Sequence, residues 1–154
     1  MKYIKHYEKL NEFNPIGADK SSWSKYSKEL LEVQSKIESI IINKKITANS
    51  STLGHKIESR VSTKGISFIP KECKLVFING DLLLFVYVPK DSIEGKISGS
   101  LPGYSEEFLY YMIMTSWLHF KYVSEIESDI NVLVYNKPCD DAIKDWKINN
   151  NLKT

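Results

Sequence analysis

The run Cys73-Lys74-Leu75-Val76-Phe77-Ile78-Asn79-Gly80-Asp81-Leu82-Leu83-Leu84-Phe85-Val86-Tyr87-Val88 decides the fold. Asn79-Gly80 suits the positive backbone φ of a two-residue type I′ turn, and strand-forming runs flank it on both sides. That turn pairs Ile78 with Asp81, Phe77 with Leu82, Val76 with Leu83 and Leu75 with Leu84. One face of the hairpin, about 73–78/82–88, then carries Cys73, Leu75, Phe77, Leu82, Leu84, Val86 and Val88. The other carries Lys74, Val76, Ile78, Leu83, Phe85 and Tyr87. A hairpin with one wet face alternates apolar with polar residues. This one is apolar on both, so it needs cover on each side from helices, a second sheet or a partner.

Helices that can supply the cover lie on either side in the chain. Upstream, Ser21 and Ser22 are placed to cap a helix at about 22–43. Trp23, Tyr26, Leu30, Val33, Ile37 and Ile40 form its apolar stripe, widened by Leu31 and Ile41. Downstream, a helix at about 105–127 is apolar nearly all the way round, as a buried or doubly contacted helix is. Between the first helix and the hairpin, residues 44–56 have no period and read as a flexible loop. Ile57 to Val61 and Ile66 to Ile69 read as short strands, and residues 89–104, with Pro89, Gly95, Gly99, Pro102 and Gly103, as a long connection. Ile130 to Tyr135 reads as a strand, and Pro138 introduces a last helix at about 140–148. The expected class is α+β, a mostly antiparallel sheet packed by helices, in one domain spanning 1–154.

Composition narrows the function. The chain has 154 residues and a formal net charge of +2, from 21 basic and 19 acidic side chains. Its lysines alternate with acids, as in Lys25, Lys28, Glu29, Glu32 and Lys36, which describes a solvated mixed surface. Arg60 is its single arginine, so the fork that reads guanine edges and grips phosphates is nearly missing. Specific DNA binding is not expected. The N-terminal stretch Met1 to Lys9 has no apolar signal core, and the most apolar window, Phe108 to Phe120, is too short and polar-spotted for a membrane span. A cytoplasmic protein is expected.

Motifs for catalysis are sparse. Gly95, Gly99 and Gly103 match neither phosphate-loop pattern. Glu-x-Lys occurs twice, at Glu72/Lys74 and Glu94/Lys96, which 12 glutamates and 20 lysines produce by chance. His6, His55 and His119 show no zinc spacing, so no metal and no cofactor are expected. Cys73 falls on the apolar hairpin face, and Cys139 precedes Asp140 and Asp141, whose charges oppose a thiolate. One constellation has the residue types of a metal-free RNase: His55, Glu58 and Arg60, as base, acid and cation for a phosphorane-like transition state.

The remaining signal is recognition. Nine tyrosines and three tryptophans exceed what a core of this size needs, and such residues are enriched where proteins meet. Acidic clusters suit an inhibitor of a basic partner: Glu106-Glu107 with Tyr110, then Glu125, Glu127 and Asp129, then Asp140, Asp141 and Asp145. The leading expectation is a non-enzymatic protein-binding protein, in concrete form an immunity-type inhibitor that neutralises a toxin by direct binding. The alternatives are the RNase-like enzyme and a homo-oligomeric accessory subunit such as a dimer.

Overall fold

The computed structural model describes residues 20–48 and 61–151, with side chains from residue 28 onward. Over these residues the protein is α+β with predominantly antiparallel pairing. Strands β4 (Glu72–Ile78) and β5 (Asp81–Tyr87) form the expected hairpin in the expected register, with Ile78 opposite Asp81 and Leu75 opposite Leu84. Asn79 and Gly80 have φ of 53° and 87°, as a type I′ turn requires. A third strand, β7 (Asn131–Tyr135), lies beside β5 and runs parallel to it, giving the order β4-β5-β7. Parallel pairing needs a long crossover, and the second helical region provides it.

Both faces of this sheet are covered. Helix α1 (Lys20–Ile41) and helix α2 (Glu106–Leu118) cover one. Val33, Ile37 and Ile41 of α1 and Ile113, Met114 and Leu118 of α2 enclose Cys73, Leu75, Leu82, Leu84, Val86 and Val88. The last helix, α4 (Cys139–Asn149), covers the other through Cys139, Ala142, Ile143 and Trp146, against Val76, Leu83 and Phe85. Each residue set matches the face assigned from hairpin alternation, because a side-chain period of two leaves no choice once the turn is fixed.

Several expectations need correction. The segment 44–56 is not loop throughout, since Ile46–Ala48 forms strand β1, antiparallel to β3 (Ile66–Phe68). Ile46 and Ala48 are buried while Thr47 is exposed, an alternation too brief to register as a period. Residues 89–104 also contain structure, a 3₁₀ turn at Lys90–Ser92 and strand β6 (Ile97–Gly99), paired with β2 (Val61–Thr63). Ile41 joins the core, but Leu31 faces water at 58% exposure.

The region 105–127 is not one regular helix either. Ser105 caps α2, its hydroxyl accepting from the Phe108 amide at 3.1 Å. After Leu118 a π turn, His119–Val123, leads into the short helix α3 (Ser124–Ile126). The wider turn adds one residue to the apolar spacing, so Leu118 and Val123, five apart, both reach the core. No described helix is long and apolar enough to cross a membrane.

Candidate functional site

Helix α2 begins with Glu106 and Glu107, whose negative charge favours the helix N-terminus. One turn on, Tyr110 and Tyr111 face the connection after β5. The Tyr110 hydroxyl donates to the Gly95 carbonyl at 3.0 Å, and the Tyr111 hydroxyl donates to the Val88 carbonyl at 3.0 Å. Gly95 has φ +102°, and a Cβ there would lie 2.7 Å from the Gly65 carbonyl oxygen, so only glycine brings this backbone so close. These groups, with Lys90 and Ile93, line a cleft of about 310 Å³. Glu106 and Glu107 are both exposed, and Lys90 approaches Glu107 at 3.8 Å. Burial pushes the Tyr111 hydroxyl up to about 12, with the Glu107 charge adding to the effect, so it stays a hydrogen-bond donor at neutral pH. Two carboxylates and two fixed rings offer what a lysine or arginine side chain binds: opposite charge and π surface.

The other expected contact residues are not gathered around this cleft. Glu125 and Asp129 are exposed at the far end of the helical region, about 30 Å away by helix rise alone. Glu127, between them, is only 1% exposed and drops out of the candidate surface. Burial raises its carboxyl above the usual carboxylate range, outweighing a backbone hydrogen bond at Asp129 that acts to lower it. It sits at the C-cap of the helix in an extended conformation, while Glu125 and Asp129 on either side are exposed. On α4, Asp140 pairs with Lys74 at 3.0 Å and Asp145 pairs with Lys137, leaving Asp141 as the unpaired exposed carboxylate of that cluster among the described residues.

The catalytic alternative of His55, Glu58 and Arg60 lies outside the described residues, as does His6. His119 faces a second pocket, together with Asp81 and Ser116. These are the residue types of a nucleophilic triad, but no hydrogen bond joins any two of them, so the relay is not assembled. Both cysteines are free and buried, and they lie on opposite faces of the sheet. Burial pushes the Cys73 thiol up to about 12, with the Glu38 and Glu72 charges adding to it. Burial likewise raises Cys139, whose thiol donates to the Phe85 carbonyl and whose amide donates to Glu72 Oε1 at 2.6 Å. Such thiols behave as small hydrophobes. Among the described residues, no group of three or more histidines, cysteines and carboxylates is placed to hold a metal ion.

One feature escapes a reading of composition and period. Beside β7 run two adjoining grooves, of about 380 Å³ and about 670 Å³, that share Thr115, Ser116, Val132 and Leu133 as lining. Their outer wall is a second stripe of α2, Phe108, Met112, Thr115 and Ser116, on a helix whose first stripe fills the core. Signs of this stripe are present in the sequence, since α2 is apolar on more sides than one core contact requires. Comparison with family models, curated proteins and solved structures finds no match to this chain.

Proposed function

We propose that the chain is a non-enzymatic binding protein that engages a basic surface of another protein, with an immunity-type inhibitor of a toxin as its concrete form. The observation that supports this reading is the cleft at the start of α2. There Glu106 and Glu107 stand exposed beside Tyr110 and Tyr111, whose hydroxyls are anchored on backbone carbonyls. A lysine or arginine of the partner enters between the carboxylates and the rings. Anchored tyrosines lose little side-chain freedom on binding, which is why such residues dominate binding energy in protein interfaces.

The test is capture from the native host at low salt, with the full chain as bait. The expected result is one stoichiometric partner that is released by raised salt and lost with the double variant Glu106→Lys/Glu107→Lys. Recovery of no partner overturns the reading, and so does a partner that the charge-reversed variant still holds. Thermal melting of that variant controls for folding, since removing two acids from a helix N-terminus costs about 0.3–1 kcal/mol each.

A further inference from the structure

We propose that the free edge of β7 accepts an extended, uncharged segment of a partner protein as a fourth strand of the central sheet. The orientation of the β7 backbone follows from one hydrogen bond. The Val88 amide donates to the Tyr135 carbonyl at 2.9 Å, so Tyr135 directs its backbone groups toward β5. Backbone direction alternates along a strand, so Leu133 and Asn131 also face β5, while Val132 and Val134 face away. The outward amide and carbonyl groups of these two valines have no hydrogen-bond partner among the described residues.

A strand edge of this kind is normally blunted by lysine, proline, a bulge or covering structure. Asn131-Val132-Leu133-Val134-Tyr135 contains no charge and no proline. The grooves alongside leave room for side chains of an added strand, between β7 and Phe108, Met112 and Thr115 of α2. Among the described residues no charged one lines that part of the groove, so alternate aliphatic or β-branched side chains suit it. Backbone groups with no partner call for another backbone, which a strand presents and a helix does not.

A second copy of this chain is the less suitable occupant. Two β7 strands joined antiparallel about a two-fold axis keep the same face up. Helix α2 packs on β7, so each copy would bring its own α2 to that face. The paired strands would lie about 4.8 Å apart, whereas packed helices need about 8–10 Å between axes. An extended segment without a helix of its own meets no such obstacle.

This surface is separate from the acidic cleft, and the experiment distinguishes the two. A phage-displayed random dodecapeptide library is selected on the full chain, and the selected peptides are remeasured on variants. Peptides with alternating apolar residues and no internal charge are expected, and Val134→Pro should weaken them about tenfold or more. Proline is tolerated on an edge strand where the amide faces out, and a thermal melt checks that the variant folds. Thr115→Lys, which leaves the sheet untouched and puts a charge in the groove, should have the same effect. Glu106→Lys/Glu107→Lys should have none. Failure to enrich any peptide overturns the proposal, as does enrichment that survives both groove variants. A dimer in sedimentation that Val134→Pro dissociates would also overturn it, by assigning the edge to a second copy.

Discussion

The two edges of the central sheet are treated differently. On the β4 edge, Leu75 points its amide outward and Gln34 of α1 accepts it, Oε1 lying 3.0 Å away. Gln34 is itself held by a 2.6 Å hydrogen bond from its amide nitrogen to Glu38. Lys71 and Lys74 add charge to that side of the sheet, with Lys74 paired to Asp140. On the β7 edge nothing comparable is present among the described residues: Val132 and Val134 point their backbone groups into an apolar groove. One outward amide of β4 is thus guarded by a side chain, and neither outward amide of β7 is, among the described residues. An open edge on the other side is therefore a property of the site rather than a general looseness of the sheet.

Substitutions at the two edges separate these roles. Leu75→Ala removes a side chain that is 4% exposed, in the main core, and should cost about 2–5 kcal/mol in chemical denaturation. Val134→Ala, at the half-buried open edge, should cost about 1 kcal/mol or less. Equal costs would erase the distinction.

Alkaline pH should destabilise the whole fold. Burial holds the Cys73 thiol at about 12, against an ordinary value of 9.0. The stability linked to this thiol is complete below pH 9 and is lost as pH rises toward 12, because the unfolded chain gives up the proton first. Tyr111 contributes in the same direction from its ordinary value of 10.0 to about 12. A series of denaturation curves over this window should show falling stability, with a shallower fall for Cys73→Ala.

A smaller effect is expected from Gln34→Ala, which leaves the Leu75 amide unpaired. It should cost about 1 kcal/mol and speed exchange of that amide. The smallest is Thr115→Lys, whose melting temperature should match that of the parent chain even as peptides lose the groove. A large drop in melting temperature would show that this wall of the groove supports the fold.

Much of this architecture was legible in the sequence for local reasons. The register of β4 and β5 follows from a two-residue turn, and the occupants of both sheet faces follow from alternation. Val33 and Ile37 in the core likewise follow from helical spacing. What was illegible depends on distant contacts. The parallel partnership of β7 with β5 joins residues such as Leu83 and Asn131, separated by the whole helical region. The guard on Leu75 comes from Gln34, 41 positions earlier. Glu127 looked like its neighbours Glu125 and Asp129, yet at the extended C-cap of the helix it is buried while they are exposed. The acidic cleft was partly legible, since Glu106, Glu107 and Tyr110 share a helix start. Its floor at Gly95 was not, because it needs a close approach to Gly65.

The open edge is tested most directly by amide hydrogen exchange on the full chain, resolved residue by residue across β4 and β7. Leu133 and Tyr135, which donate toward β5, should exchange slowly, and so should Leu75, which Gln34 covers. Val132 and Val134 should exchange faster than Leu133 and Tyr135 by orders of magnitude, because no acceptor among the described residues holds their amides. Slow exchange at Val132 and Val134, equal to that of Leu133, would mean that the β7 edge is already closed and would contradict the account.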